Sequence, residues 1–451
     1  MPLCEIRDGE SRHRRSGVHA RWARRAHRNR SVSLGINECL DGRTARTPQP
    51  VEGSPCDAAI RRAGRRIMNH RLPSEYEDLR QTVAEFARDA IAPVIADMYR
   101  DHQFPYDIVK AMGGMGLFGI PFPEEYDGMG GDYFALCLVL EEIARVDSSV
   151  AITLEAAVSL GAMPIYRFGT QEQKQQWLPA LARGEMLGAF GLTEPGSGSD
   201  AGGMRTTARL EGDEWVINGS KAFITNSGTD ITGLITVACV TGTKDNGRPE
   251  ISTIIVPAGT PGLVVAPAYS KVGWNSSDTH ELSFADCRVP ADNLLGEQGR
   301  GYAQFLQILD EGRIAIAALA TGLAQGCVDE SVRYASEREA FGNPIGHYQS
   351  IAFLIADMEV RAHTARLAYY DAGWRMLADE PFKRQAAIAK LHSSDAAMEN
   401  SRWATQVFGG YGFMNEYAVG RFYRDAKVLE IGEGTNEVQR MLIARDLGLP
   451  Q

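Results

Sequence analysis

The period of the hydrophobic pattern changes twice along this chain, and that change limits the possible folds more than any single residue does. From Ser74 to about residue 185, apolar residues recur at helical spacing, as in Leu79, Val83, Phe86 and Ala90. Ser74-Glu75-Tyr76-Glu77 reads as a capping box at the start of the first helix. Pro93 is expected to bend or end that helix. Further helical patterns cover 106–117, 131–146, 148–168 and 171–182. From Leu187 to about Leu295 short apolar runs alternate with turn signals, and strand-like runs recur at 233–240, 252–257, 262–266 and 280–284. Asn218-Gly219, between Trp215-Val216-Ile217 and Ala222-Phe223-Ile224, is a strong hairpin signal. Helical spacing returns from about Gly301, with Ile351, Leu354, Ile355 and Met358 on one face. The pattern predicts a mainly α protein with a central β domain. Its parts are a helical domain over 68–186, a β barrel or sandwich over 187–297 and a helical domain over 298–451. No Gly-x-Gly-x-x-Gly opens a βαβ unit, so a parallel dinucleotide-binding sheet is not expected.

At 451 residues with 44% hydrophobic residues, the chain can bury several layers of core. No uninterrupted run of 18 apolar residues occurs, so nothing reads as a transmembrane helix. The seven cysteines are scattered without a Cys-x-x-Cys pair or a Cys/His cluster, which points to a reduced protein without structural zinc or iron–sulfur centres. The net charge of −10 hides an asymmetry: residues 1–67 hold 15 Arg and 7 acids, while the remainder holds 32 basic and 50 acidic residues. A body that acidic has no general attraction for nucleic acid. Segment 1–67 reads as a disordered Arg-rich extension, preceding Met68. A mitochondrial-type presequence and a nucleic-acid-binding arm are the alternatives, and the acids and the lack of an amphipathic helix weigh against the presequence. The compartment expected is the cytoplasm, with the mitochondrial matrix second.

Five later segments carry candidate chemistry. Phe190–Asp200 is a Gly/Ser loop in which Gly196 and Gly198 let a ligand approach the backbone, and Thr193 and Ser199 offer hydroxyls. In Lys221–Asn226, Phe223 is suited to stack on a flat ring and Thr225 to donate to it. Glu433 lies between Gly432 and Gly434, so a ligand can reach both its backbone N–H and its carboxylate. Gln406–Phe413 is a glycine-dense turn. Arg338–Gly342 offers a guanidinium suited to a phosphate, with Gln349 downstream. Each segment alone also reads as an ordinary loop, strand or surface cation.

Together, and in this order, TEPGSGSD (193–200), NGSKAFITN (218–226), SDTHELSFADCRVP (277–290), REAFG (338–342), QVFGGYGF (406–413) and EGTNEVQR (433–440) resemble the acyl-CoA dehydrogenase family over residues 73–448. The resemblance implies a helical domain, a β domain and a C-terminal four-helix domain, in a homotetramer whose subunits share FAD sites. It implies that Glu433 removes the α-proton of an acyl-CoA and that electrons pass to electron-transferring flavoprotein, leaving a trans-2-enoyl-CoA. A carboxylate can do this only if the thioester carbonyl is polarised, a part that the resemblance gives to the N–H of Glu433 and to the cofactor. FAD would meet Phe190, Leu192, Thr193, Gly198, Ser199, Phe223, Ile224 and Thr225. Arg338, Phe341 and Gln349 would contact the FAD of a neighbouring subunit. Gln406, Val407, Gly409, Gly410, Thr435 and Glu437 would complete that site. The acyl-CoA would meet Ser199, Leu309, Asp310, Arg313 and Gly432. Two positions depart from many relatives: Phe223 stands where Trp is common, and Gly432 where Tyr is common.

KVGWNSSDT (271–279) is similar to isobutyryl-CoA dehydrogenases, and LDEGRIAIAALATGLAQGC (309–327) to short/branched-chain members, so a short or branched acyl chain is expected. Ala151 falls where glutaryl-CoA dehydrogenases place an arginine, which weighs against a decarboxylating enzyme. The alternatives are a flavin monooxygenase or oxidase on the same fold, or a non-catalytic acyl-CoA-binding flavoprotein.

Overall fold

The computed structural model describes residues 72–450. The expectations for residues 1–67, and the start of the first domain at 68, lie outside the described residues. Seven helices come first: α1 (Ser74–Phe86), α2 (Ala92–Arg100), α3 (Tyr106–Gly114), α4 (Tyr133–Ala144), α5 (Ser148–Glu155), α6 (Met163–Phe168) and α7 (Gln171–Ala182). Strands follow: β1 (Leu187–Gly191), β2 (Thr207–Glu211), β3 (Glu214–Thr225), β4 (Thr232–Thr243), β5 (Pro249–Pro257), β6 (Leu263–Val265), β7 (Thr279–Pro290) and β8 (Leu294–Leu295). The chain then returns to helix: α8 (Gly301–Glu337), α9 (Gln349–Leu377), α10 (Lys383–Phe408), α11 (Ala418–Leu429) and α12 (Asn436–Asp446), with a short hairpin of β9 (Glu339–Ala340) and β10 (Asn343–Pro344) between α8 and α9.

The two helical regions share one core. Leu136, Leu140 and Ile143 of α4 are buried in the same cluster as Ala315, Leu319 and Leu323 of α8 and Ala386 and Ala397 of α10. Helices α8, α9, α10 and α11 pack as a four-helix bundle. The sheet runs β6-β7-β3-β2-β4-β5-β8, with β1 added parallel to β4. It curls on itself: Trp215 and Ile217 of β3 and Leu282 and Phe284 of β7 share a second core with Val237 and Cys239 of β4 and Ile254 and Val256 of β5.

Four local expectations change. Asn218-Gly219 is not a hairpin turn but an irregularity inside the 12-residue strand β3, where the register against β7 shifts between Ile217 and Gly219. Gly219 has φ 146°, and a Cβ there would stand 2.5 Å from Thr206 Oγ1, so the glycine admits the close approach of Thr206. Asn218 instead bonds sideways to Asp286 at 3.1 Å, and the hairpin turn before β3 falls at Gly212-Asp213. The capping box does not form: Pro73 is the residue before α1 and its carbonyl takes the N–H groups of Tyr76 and Glu77. Pro93 does not end the first helix. A π-helical turn, Ala87–Ile91, absorbs it, which also rotates Ala90 to the surface and puts Ala87 and Ile91 in the core.

The same device recurs at Ala156–Ala162, ahead of Pro164. The stretch Ser148–Phe168 is long and apolar enough by composition to cross a bilayer, but 94% of its most apolar window is packed inside the protein. It is the central core segment, and it carries one acid, Glu155. Three bonds fix what surrounds it. Buried Asn226, at the end of β3, donates to Thr153 O at 3.0 Å. Trp274 Nε1 donates to Ser148 Oγ at 3.1 Å, and Ser148 in turn to Asp425 at 2.8 Å.

Candidate active site

The turn from α11 to α12 is built to present one carboxylate. Glu433 has φ 51°, the left-handed region, which is uncommon for a residue with a side chain and marks a constrained position. The turn is held from below. Buried Gln439 donates to Gly434 O at 2.9 Å, Thr435 caps α12 by accepting from Val438 N at 3.3 Å, and Asn436 N closes onto Glu430 O at 2.9 Å. The backbone N–H of Glu433 donates to no acceptor among the described residues.

Its side chain turns inward. The residue is partly exposed, yet both carboxyl oxygens are buried and accept no hydrogen bond. They lie against Gly312, in the first third of α8, where a Cβ would overlap Oε2. Burial pushes the Glu433 carboxyl up to about 7, opposed by interaction with Glu155 and by the positive charges of Lys390 and Arg313. Lys390 is fully buried on α10, donates to Asn436 Oδ1 at 3.1 Å, and is pulled down to about 8 by burial. Arg313 pairs with Asp310, which also holds Lys383 at 2.7 Å. Leu309 is half-buried on the same turn of α8. At Gly432 a Cβ would meet only Val428 O, at 3.4 Å, so this end of the turn is open.

The expected cofactor residues fall into two sets. Phe190, Leu192, Thr193, Phe223, Ile224 and Thr225 lie on β1, β3 and the loop between β1 and β2. Phe190 packs on Phe305 of α8 with ring centroids 4.2 Å apart, and Thr193 O accepts from Ala222 N at 2.9 Å. Leu192 and Ile224 are buried, whereas Phe223 is 66% exposed at φ 61°, tilted against Tyr269. Gly198 and Ser199 lie on the exposed loop, beside a cleft of about 250 Å³ lined by Glu194, Gly196, Ser197 and Arg205. Lys221 holds that loop from beneath, with a buried ion pair to Glu194 at 2.8 Å and a bond to Leu192 O at 3.1 Å.

The second set is a surface patch. Arg338 lies over the Tyr411 ring at 5.7 Å, and Tyr334 Oη reaches Phe408 O at 3.4 Å, so the β9–β10 hairpin and the 406–413 turn are brought together. Phe341 is 95% exposed at φ 51°; Gln349, Gln406, Gly409 and Gly410 are exposed, while Val407 is buried. Among the described residues no hydrogen bond or ring contact joins this patch to the first set. Thr435 serves as a helix cap and Glu437 is exposed.

Sequence reasoning missed Gly312, Lys390, Gln439 and above all Glu155. The Glu155 carboxyl interacts with that of Glu433, and both its oxygens are buried without a partner. The available signal was a lone acid in the apolar run Ala151-Ile-Thr-Leu-Glu-Ala-Ala-Val158. No group of three or more His, Cys, Asp or Glu among the described residues is placed to hold a metal.

The arrangement fits acid–base chemistry beside a flat aromatic group: a buried carboxylate near neutral pKa, an unused backbone N–H beside it, and aromatic rings left facing outward. Three family models match the chain: the acyl-CoA dehydrogenase N-terminal domain over 73–185, the middle domain over 189–287 and the C-terminal domain over 299–448. A Bacillus subtilis protein named as a probable acyl-CoA dehydrogenase is 48% identical over 380 residues, 84% of this chain and 100% of that one. The mouse mitochondrial short-chain specific acyl-CoA dehydrogenase is 44% identical, over 83% of this chain and 90% of its own. Butyryl-CoA dehydrogenase from Megasphaera elsdenii superposes with a TM-score of 0.81 at 40% identity, covering 84% of this chain and 100% of that one. A chain from a structural study of the electron-transferring flavoprotein of Acidaminococcus fermentans superposes with the same TM-score, 0.81, at 42% identity, over 84% and 99% of the two chains. The chain therefore belongs to the acyl-CoA dehydrogenase family.

Proposed function

We propose that this protein oxidises a short straight or branched acyl-CoA to its trans-2-enoyl-CoA, with Glu433 as the base, and passes the electrons to an electron-transferring flavoprotein. The observation that carries the proposal is the buried, unpartnered Glu433 carboxylate, pushed up by burial to about 7.

The family is FAD-dependent. Phe223 and Thr225 at the end of β3, with Phe190 to Thr193 on β1 and its loop, would hold the cofactor on one side. A neighbouring copy would contribute Arg338, Phe341, Gln349 and the turn Gln406 to Gly410, since these lie apart from the first set in a single chain. A homotetramer of paired dimers satisfies that need. When bound, FAD accepts the hydride from the β-carbon and helps to polarise the thioester carbonyl.

The rest is done by the chain. Glu433 accepts the α-proton, and its N–H is free to bond the thioester oxygen, where charge develops as the proton leaves. Gly312 leaves the space in which the carboxylate and the α-carbon meet. Lys390 and Arg313 favour the ionised form of Glu433 and so oppose the effect of its burial. Gly432 leaves room for a branch near the reacting carbons. Ser199, Leu309, Asp310 and Arg313 line the path proposed for the CoA ester. Relatives named short-chain specific and butyryl-CoA dehydrogenase support the short acyl chain. The compartment proposed is the cytoplasm, with the mitochondrial matrix as the alternative.

The test is anaerobic mixing of the FAD-loaded protein with isobutyryl-, 2-methylbutyryl-, butyryl-, octanoyl- and palmitoyl-CoA. Loss of the oxidised-flavin absorbance with one short member, and enoyl-CoA as product, supports the proposal. No bleaching with any member contradicts it.

A further inference from the structure

A second carboxyl beside the base has no role in the scheme above. Glu155 ends α5, one helical turn from Ala151 on the same face, and the π-helical segment Ala156–Ala162 follows it. It is fully buried. Its two oxygens and the two of Glu433 all lack a donor among the described residues. Ionised carboxylates only accept hydrogen bonds, so two that face each other in a dry interior cannot both stay charged. A proton held between them satisfies both.

We propose that Glu155 is the positioning residue for the base: it holds the one proton of the pair and donates it as a hydrogen bond to the Glu433 carboxylate, fixing its orientation. This rests on the reading of Glu433 as the base.

The surrounding charges decide which member is ionised. Glu433 faces Lys390 from α10 and Arg313 from α8, both cations. Among the described residues Glu155 faces no cation. From α4 it meets Tyr133 and Cys137, both pushed up by burial and neutral, and from its own segment Ser159, whose Oγ accepts from Tyr133 Oη at 2.8 Å. The cations all lie on the Glu433 side, so the proton belongs to Glu155. Burial, with Glu433 adding to it, pushes the Glu155 carboxyl well up, in agreement. During turnover the α C–H bond breaks, its proton goes to Glu433, and the bonding pair stays on carbon to become the new double bond; bound FAD would take the hydride that leaves the β-carbon. Glu155 keeps its own proton, so the pair passes from one proton to two.

The test uses two variants of the full-length, FAD-loaded enzyme. Glu155→Gln keeps a donor of the same shape; Glu155→Met keeps the volume and removes the donor. The pH profile of kcat/KM for butyryl-CoA is expected to keep its acid limb in Glu155→Gln. In Glu155→Met the limb is expected to move up by about one pH unit, the scale of a lost bond to a charged group. A limb that stays put or moves down in Glu155→Met overturns the proposal, the downward shift meaning that Glu155 is the ionised member. Infrared difference spectra at neutral pH, without acyl-CoA, provide a readout independent of turnover. Glu155→Gln is expected to lose one buried carboxylic-acid C=O band, and loss of a carboxylate band instead overturns the proposal. If no acyl-CoA is oxidised by any form, the functional reading fails, while the infrared result still locates the proton.

Discussion

The turn carrying Glu433 and the patch carrying Phe341 contrast within one chain. Around Glu433 every element is supplied internally: a strained turn held by Gln439, space left by Gly312, cations from α8 and α10, and a second acid from α5. Around Phe341 the chain offers exposed side chains, an aromatic ring that is 95% in solvent and a guanidinium over Tyr411. The first region is complete within one chain, whereas the second presents exposed groups that the proposed function assigns to FAD and a neighbouring copy. On that proposal, proton chemistry resides within one subunit, and cofactor retention depends on assembly.

The strongest way to break this contrast is at the base. Glu433→Gln is expected to keep FAD bound and to slow turnover by at least ~10³-fold, the scale of losing an essential base. Near wild-type turnover with any acyl-CoA would remove Glu433 from the mechanism. Gly312→Ala puts a methyl group where Glu433 Oε2 lies, displacing the carboxylate. Turnover is expected to fall on the order of 10²-fold with FAD content unchanged, as for a displacement of about 1 Å in reacting geometry. Phe341→Ala acts on the other region: FAD affinity, measured by titrating the apoprotein, is expected to weaken about tenfold, the upper range for one aromatic contact. The acid limb of the pH profile is expected not to move, and if it does, the two regions are not separable.

The smallest effect is on stability. A carboxyl whose folded pKa is raised stabilises the fold below its unfolded value of 4.5, and that contribution is lost as pH rises through about 7. Glu433→Gln is thus expected to raise Tm more at about pH 8 than at about pH 5, by calorimetry. An equal change at both pH values would mean that Glu433 is not buried in the folded protein.

The contrast also explains what was legible in the sequence. The helix–β–helix order was readable because each region keeps one hydrophobic period over many residues. Glu433 was readable because glycines flank it in the chain. Glu155 was not, because what makes it unusual is a carboxyl 278 positions away, and within α5 it only interrupts an apolar run. Asn218-Gly219 misled because the same dipeptide that favours a turn also lets Thr206 press against β3, and tertiary packing decided between them. Of the two outcomes expected at Pro93, a bend or an end, the helix does not end there: the π-helical turn Ala87–Ile91 absorbs the proline, and nothing local announces a π turn.

The most direct measurement is the rate of anaerobic flavin reduction by butyryl-CoA, at low substrate concentration, as a function of pH. With a buried Glu433 as base, the second-order rate constant is expected to climb as pH rises through about 7 and then level off, because only the ionised carboxylate takes the α-proton. A rate that does not change across that range, or no reduction at any pH, would contradict the account.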